Sequence, residues 1–121
     1  MSHAAEAEVV CNNPDALAAT AEKLGLKMLQ HGTHKMYDGR EVTGIGFKLE
    51  GWSQNVLIDD AGKVYYDNYR GNWGDIEKLD QFFQRYSLEA STIEAKKKGY
   101  STFEVAHEDG SIELLVQRRF Q

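Results

Sequence analysis

The stretch at residues 74–99, GDIEKLDQFFQRYSLEASTIEAKKKG, constrains the fold more than any other. It contains no proline and no internal glycine, and Ile76, Leu79, Phe83, Tyr86, Ala90, Ile93 and Lys97 step along it by three and four. That spacing puts the apolar residues on one face of an α-helix. Asp75 is placed to cap its start and Gly99 to stop it. The stripe is too short for a convincing coiled coil, so the helix is expected to lie across a sheet, with Phe83 and Ile93 buried against it. One continuous rod and a helix broken near Ser87 both fit the pattern.

Segments with a period of two surround this helix. AEAEVVC at 5–11 sets Ala5, Ala7, Val9 and Cys11 on one side of a strand and Glu6 and Glu8 on the other. NNPDALAATAEKLGL then reads as a short helix. Asn13 caps it, Pro14 takes the first position, Leu17, Ala21 and Leu24 share a face, and Gly25 ends it. A short strand is predicted near Leu26–Gln30, followed by an irregular piece through Tyr37. EVTGIGFKLEG places Thr43, Ile45, Phe47 and Leu49 on one face. Gly44 and Gly46 on the other suggest a bulge or an element lying close to the backbone. NVLIDDAGKVYYDNY reads as a hairpin around Asp59–Gly62. STFEVAHEDGSIELLVQRRF reads as another, with a tight turn at Asp109-Gly110, Phe103 and Val105 on one face, and Ile112, Leu114 and Val116 directed inward. The expected fold is a single α+β domain over residues 1–121. It has a mostly antiparallel sheet, a short N-terminal helix and a long helix in the C-terminal half on one face, and a closing hairpin.

A chain of 121 residues has room for one sizeable core without metal or disulfide support. The net charge of −5 argues against nucleic acid and anionic membranes as partners. The exception is local: Lys96, Lys97 and Lys98 close the long helix, and Arg118 and Arg119 near the chain end would add to them if the two lie together. Cations at a helix C-terminus also serve the helix dipole, which accounts for the run without any ligand. A single cysteine forms no intramolecular disulfide. The first residues carry neither a basic nor an apolar signal region, and no apolar run is long enough for a membrane helix. A soluble, cytoplasmic protein is expected.

Sites for chemistry are sparse. His31-x-x-His34 has Gly32 between its members, against a helix, and no second ligand pair, so two solvated loop histidines are expected and no metal. The amino-terminal Met1-Ser2-His3 would suit square-planar copper or nickel only while Met1 remains. Cys11, on the apolar side of its strand, reads as core and not as a nucleophile. Asp59-Asp60 and Glu108-Asp109 fall at hairpin tips and read as turn residues. There is no nucleophile elbow, phosphate loop or complete dinucleotide fingerprint, so no catalytic residue and no cofactor is assigned. The remaining feature is VYYDNYRGNWGD at 64–75. Tyr65 and Tyr66 face opposite ways on a strand. Trp73 is expected to fold over the start of the long helix. Tyr69 and Arg70 are expected to be exposed and to contact a protein partner.

The Met-Ser-His start, the Trp-Gly before the long helix, QRYSLEASTIEAKKKGY and EDGSIELLVQRRF together resemble one small family. It is that of the hypothetical chloroplast reading frame numbered thirty-five, found in cyanobacteria, algal plastids, other bacteria and phages. Gln84-Arg85-Tyr86, Gly99, Glu108-Asp109-Gly110 and Arg119 match its pattern, and Phe120 stands where the family has tryptophan. The likeness covers the last third of the chain and its first three residues. It implies a soluble α+β domain of unknown function, with no activity, cofactor or catalytic residue to carry over. Relatives are often encoded beside an AAA-type ATPase and a ferredoxin-like protein, which implies an accessory or adaptor role. The alternative is a domain that binds a small ligand or nucleic acid through the basic C-terminal region.

Overall fold

A computed structural model describes residues 5–118, apart from the side chains of residues 5, 6 and 8. The order of elements is β1 (Ala5–Val10), α1 (Pro14–Leu24), β2 (Lys27–Lys35), β3 (Glu41–Lys48), β4 (Val56–Asp59), β5 (Lys63–Tyr66), a short 3-10 turn (Tyr69–Gly71), α2 (Ile76–Lys97), β6 (Tyr100–Ala106) and β7 (Ile112–Arg118). Five strands form an antiparallel sheet in the order β1-β5-β4-β3-β2, and β6 and β7 form a separate hairpin. The α+β architecture with a closing hairpin matches the expectation from sequence.

Local chemistry sets the helix ends. Asn13 accepts a hydrogen bond from the Ala16 amide, Pro14 opens α1, and Gly25 closes it at φ 67°. Asp75 accepts from the Glu77 amide at the start of α2. The helix is one rod of 22 residues with no break at Ser87. Both helices pack on the same face of the sheet. Leu17 and Ala21 of α1 and Leu79, Phe82 and Tyr86 of α2 bury there with Phe47, Val56, Ile58 and Val64. The Phe47 and Phe82 rings lie 4.9 Å apart. The Tyr86 hydroxyl accepts the Asn13 amide proton at 3.1 Å, which ties the middle of α2 to the cap of α1. Met36, Val42 and Leu57, with Tyr65 against them, form a smaller cluster, while Tyr66 packs against the main core.

Several expectations are corrected. Residue for residue, Phe82 is the fully buried aromatic of α2. Phe83 and Ile93 are only partly buried at the core's edge, and Ile76 is exposed. Adjacent residues on a helix point about 100° apart, so a one-residue shift of the stripe exchanges core for margin. β2 does not stop at Gln30. It runs to Lys35 by way of a bulge between Leu29 and Gly32, and Gly32 pairs with Gly44 of β3. Gly44 is needed for close approach, because a Cβ there would collide with the Ile58 carbonyl of β4. In β1 the register shifts between Ala7 and Val10, leaving Val9 and Val10 exposed while Cys11 is buried just past the strand. Leu24 is also exposed.

The last hairpin differs in detail from a two-residue turn. His107 and Ser111 pair by their backbones, the Gly110 amide bonds the His107 carbonyl, and Gly110 alone takes a positive φ, 89°. This is a three-residue loop ending in a left-handed glycine. Ile112 and Leu114 are half-buried, whereas Val116 is exposed. The opposite face presents Phe103 and Leu115, cross-strand neighbours that are 54% and 45% exposed.

Candidate functional site

Beyond β5 the chain enters a loop that is fixed at both ends. Asp67 is buried to 1% exposure, and its Oδ1 accepts the Tyr69 amide proton at 3.1 Å. The Asn68 carbonyl accepts from the amides of Gly71 (3.0 Å) and Trp73 (2.9 Å). The Trp73 carbonyl accepts the Ser53 amide proton at 2.7 Å, which stitches the loop to the β3–β4 connection. Between these ties Tyr69, Arg70 and Gly71 stand in the left-handed region, with φ of 47°, 56° and 94°. Two successive non-glycine residues there cost on the order of 1–3 kcal/mol each, and such positions cluster at functional sites.

Aromatic rings cover this loop. Tyr69 stacks on Trp73 with centroids 4.8 Å apart, and Tyr37 meets the same indole edge-on at 4.8 Å. Tyr37, 63% exposed, had no signal in the sequence beyond being an aromatic in a stretch read as irregular. Arg70 is exposed, as expected, and Tyr69 is half-buried by its stacking.

Trp73 does not cover the start of α2; Trp52 does. Trp52, in the β3–β4 connection, is almost fully buried, and its indole N–H donates to the Asp75 carbonyl at 3.0 Å. Its ring occupies the space that a side chain on Gly74 would need. The residue before the cap is therefore bare because a tryptophan distant in sequence lies over it. Trp73 is left half-exposed between Tyr37 and Tyr69.

The histidines are strand residues, not loop residues. His31 lies 2.7 Å from Asp60 at the surface, and His34 Nε2 bonds the Gln30 carbonyl at 3.0 Å. The two rings are thus engaged separately. Among the described residues no group of three or more His, Cys, Asp or Glu side chains could hold a metal ion. Cys11 lines an apolar cavity of about 170 Å³ with Leu17, Ile45 and Ile58, and His31 and Asp60 also border it. Burial pushes the thiol pKa up to about 12, so it stays protonated and is a poor nucleophile at neutral pH. Asp59 is spent on its own turn, accepting from the amides of Ala61 and Lys63 and from the Tyr65 hydroxyl. Asp109 accepts from the amide and hydroxyl of Ser111, which hold its carboxyl below its usual range.

Lys96, Lys97 and Lys98 are exposed at the end of α2. Tyr100 pairs with Arg118, so Arg118 lies at the base of the hairpin, where the chain leaves the helix. Arg119, like Met1-Ser2-His3, lies outside the described residues. No described helix is long and apolar enough to cross a membrane. Compared with family models, curated proteins and solved structures, the chain gave no match.

Proposed function

We propose that this domain is a non-enzymatic accessory or adaptor module that binds a protein partner through the Tyr69–Arg70 loop and the aromatic rings beside it. The observation that carries the reading is the left-handed run at Tyr69, Arg70 and Gly71, clamped at both ends by backbone hydrogen bonds. A loop already ordered loses little entropy on binding. Tyrosine, tryptophan and arginine are also the side chains that most often dominate interface energetics. The family resemblance makes an AAA-type ATPase the first partner to try.

The test is co-purification from native extract, with and without nuclease, using wild type and the Tyr69→Ala/Arg70→Ala double variant. A stoichiometric protein lost only in the double variant supports the reading. A partner retained by a folded double variant overturns it. The second reading, nucleic-acid binding, is favoured by the register that brings Arg118 to the lysine-rich end of α2. It predicts nuclease-sensitive material that Lys96→Glu/Lys98→Glu abolishes.

A further inference from the structure

Strand edges present unpaired backbone N–H and C=O groups, and proteins blunt them with bulges, lysine, proline or a cover. Both edges of the five-stranded sheet are treated in this way. β1 is interrupted by the register shift between Ala7 and Val10, and β2 is bulged between Leu29 and Gly32, with Lys27 and Lys35 at its ends. β7 has none of these devices. Its seven residues pair with β6 in one unbroken register and include no proline or lysine. Tyr100, Ser101 and Thr102 of β6 are half-buried, while their partners Arg118, Gln117 and Val116 are exposed. The hairpin thus turns β6 toward the body of the molecule, where Arg85 also holds Glu104, and turns β7 away from it. Among the described residues β7 pairs only with β6.

The turn shows which backbone groups face outward. The His107 amide donates to the Ser111 carbonyl, so these residues are a bonded pair. Along an antiparallel ladder bonded pairs alternate with pairs whose groups point away. Val105–Glu113, Phe103–Leu115 and Ser101–Gln117 are therefore bonded, and the N–H and C=O groups of Ile112, Leu114, Val116 and Arg118 point to the open edge.

We propose that two copies of this chain pair along β7, antiparallel about a two-fold axis at Leu115, to make one four-stranded sheet. The occupant is a second copy because the edge is complementary to itself. With the axis at the midpoint of the strand, Leu115 faces Leu115, Leu114 faces Val116, Glu113 faces Gln117 and Ile112 faces Arg118. No like charges meet, and each outward-facing residue gains a backbone partner. Leu115 and Val116, 45% and 51% exposed, move from the rim of a hairpin to the middle of a sheet. Two strands are marginal in water, and doubling their number relieves that. The contact uses the same patch on both chains, so it closes at two copies. The new edges are the two β6 strands, whose first three residues are half-buried. Pairing does not depend on the adaptor reading, but each dimer carries the Tyr69–Arg70 loop twice.

The experiment follows sedimentation of the full-length chain over a concentration series, with amide exchange measured by NMR at its two ends. Wild type should approach the mass of two chains as concentration rises. The amides of Leu114 and Val116 should slow with it, whereas those of Glu113 and Leu115, bonded to β6, should already be the slower set in dilute protein. Leu115→Lys and Leu115→Glu each set like charges across the axis and should each weaken association by about tenfold or more. An equimolar mixture of the two variants should recover dimers, because residue 115 of one chain faces residue 115 of the other. A wild-type chain that stays monomeric at every concentration, with fast Leu114 and Val116 amides, overturns the proposal and leaves the edge to an extended segment of another protein. Association that survives Leu115→Lys and Leu115→Glu, or that mixing them does not restore, also overturns it. Loss of association in Phe103→Ser but not in Leu115→Lys would move the contact to the face of the hairpin. The wild-type exchange pattern decides between these even where a variant fails to fold.

Discussion

Trp52 and Trp73 show how much a single side chain's placement decides. Trp52 is buried against Gly74 and anchored to the Asp75 carbonyl, whereas Trp73 has a partly exposed ring between two tyrosines. Trp52→Ala should therefore cost about 3–5 kcal/mol, the range for a large core aromatic, and Trp73→Ala only about 1–2 kcal/mol. Urea melts of the two variants distinguish them, and equal losses would show the assignment to be wrong. Cys11 supplies a pH signature. Its folded-state pKa is raised by burial from 9.0 to about 12, so the folded state keeps the proton when the unfolded chain has lost it. The stability tied to this group is complete below about pH 9 and is lost as the pH climbs toward about 12. Denaturation midpoints should fall across that window, and the fall should be shallower in Cys11→Ala.

At the scale of elements, α2 is the beam on which the two sheets hang. Its buried face is Leu79, Phe82 and Tyr86, so Phe82→Ala should lose about 3–5 kcal/mol and Phe83→Ala less than half as much in chemical denaturation. The hairpin is held differently. Arg85 donates to Glu89 on its own helix at 3.2 Å and to Glu104 of β6 at 2.9 Å. Burial works against the guanidinium's charge, but the hydrogen bonds to Glu104 and Glu89 outweigh it and raise its pKa. Two strands alone are marginal in water, so the Arg85–Glu104 bridge helps to hold β6–β7 on α2. Glu104→Gln should weaken the attachment by on the order of 0.5 kcal/mol, since the pair is partly solvated. Amide exchange should then speed up in β6 and β7 while the five-stranded sheet is unchanged. Uniform acceleration across both sheets would refute the separation.

For the molecule as a whole, what was legible in the sequence was what local chemistry decides. Asn13, Pro14 and Gly25 mark α1 because caps and breakers act within a few residues, and the alternation in β3 and β7 follows from the pleat. What was not legible depended on neighbours distant in the chain. Gly32 looks like a strand breaker until Gly44 is found opposite it. Phe82 and Phe83 cannot be ranked until the sheet they meet is in place. His34, Asn55 and Asp67 border one cavity from β2, the β3–β4 connection and the loop after β5, and no spacing in the sequence brings them together. The loop at Tyr69 and Arg70 stands out in the sequence by its composition, whereas its left-handed backbone is set by tertiary ties.

The strand order β1-β5-β4-β3-β2 has a consequence in time. β1 and β2 are joined only by α1, yet they lie at opposite edges of the sheet, and among the described residues β1 pairs only with β5. β2 to β5 form a run of neighbours that can zip up locally, while β1 must wait for a partner about half the chain length away in synthesis. During refolding, pulse-labelled amides of β1 should gain protection after those of β2, β3 and β4, and simultaneous protection would contradict this order. In a cell the same geometry inverts birth and assembly: β1 leaves the ribosome before its partner and waits, unpaired, until residues 63–66 have followed it out.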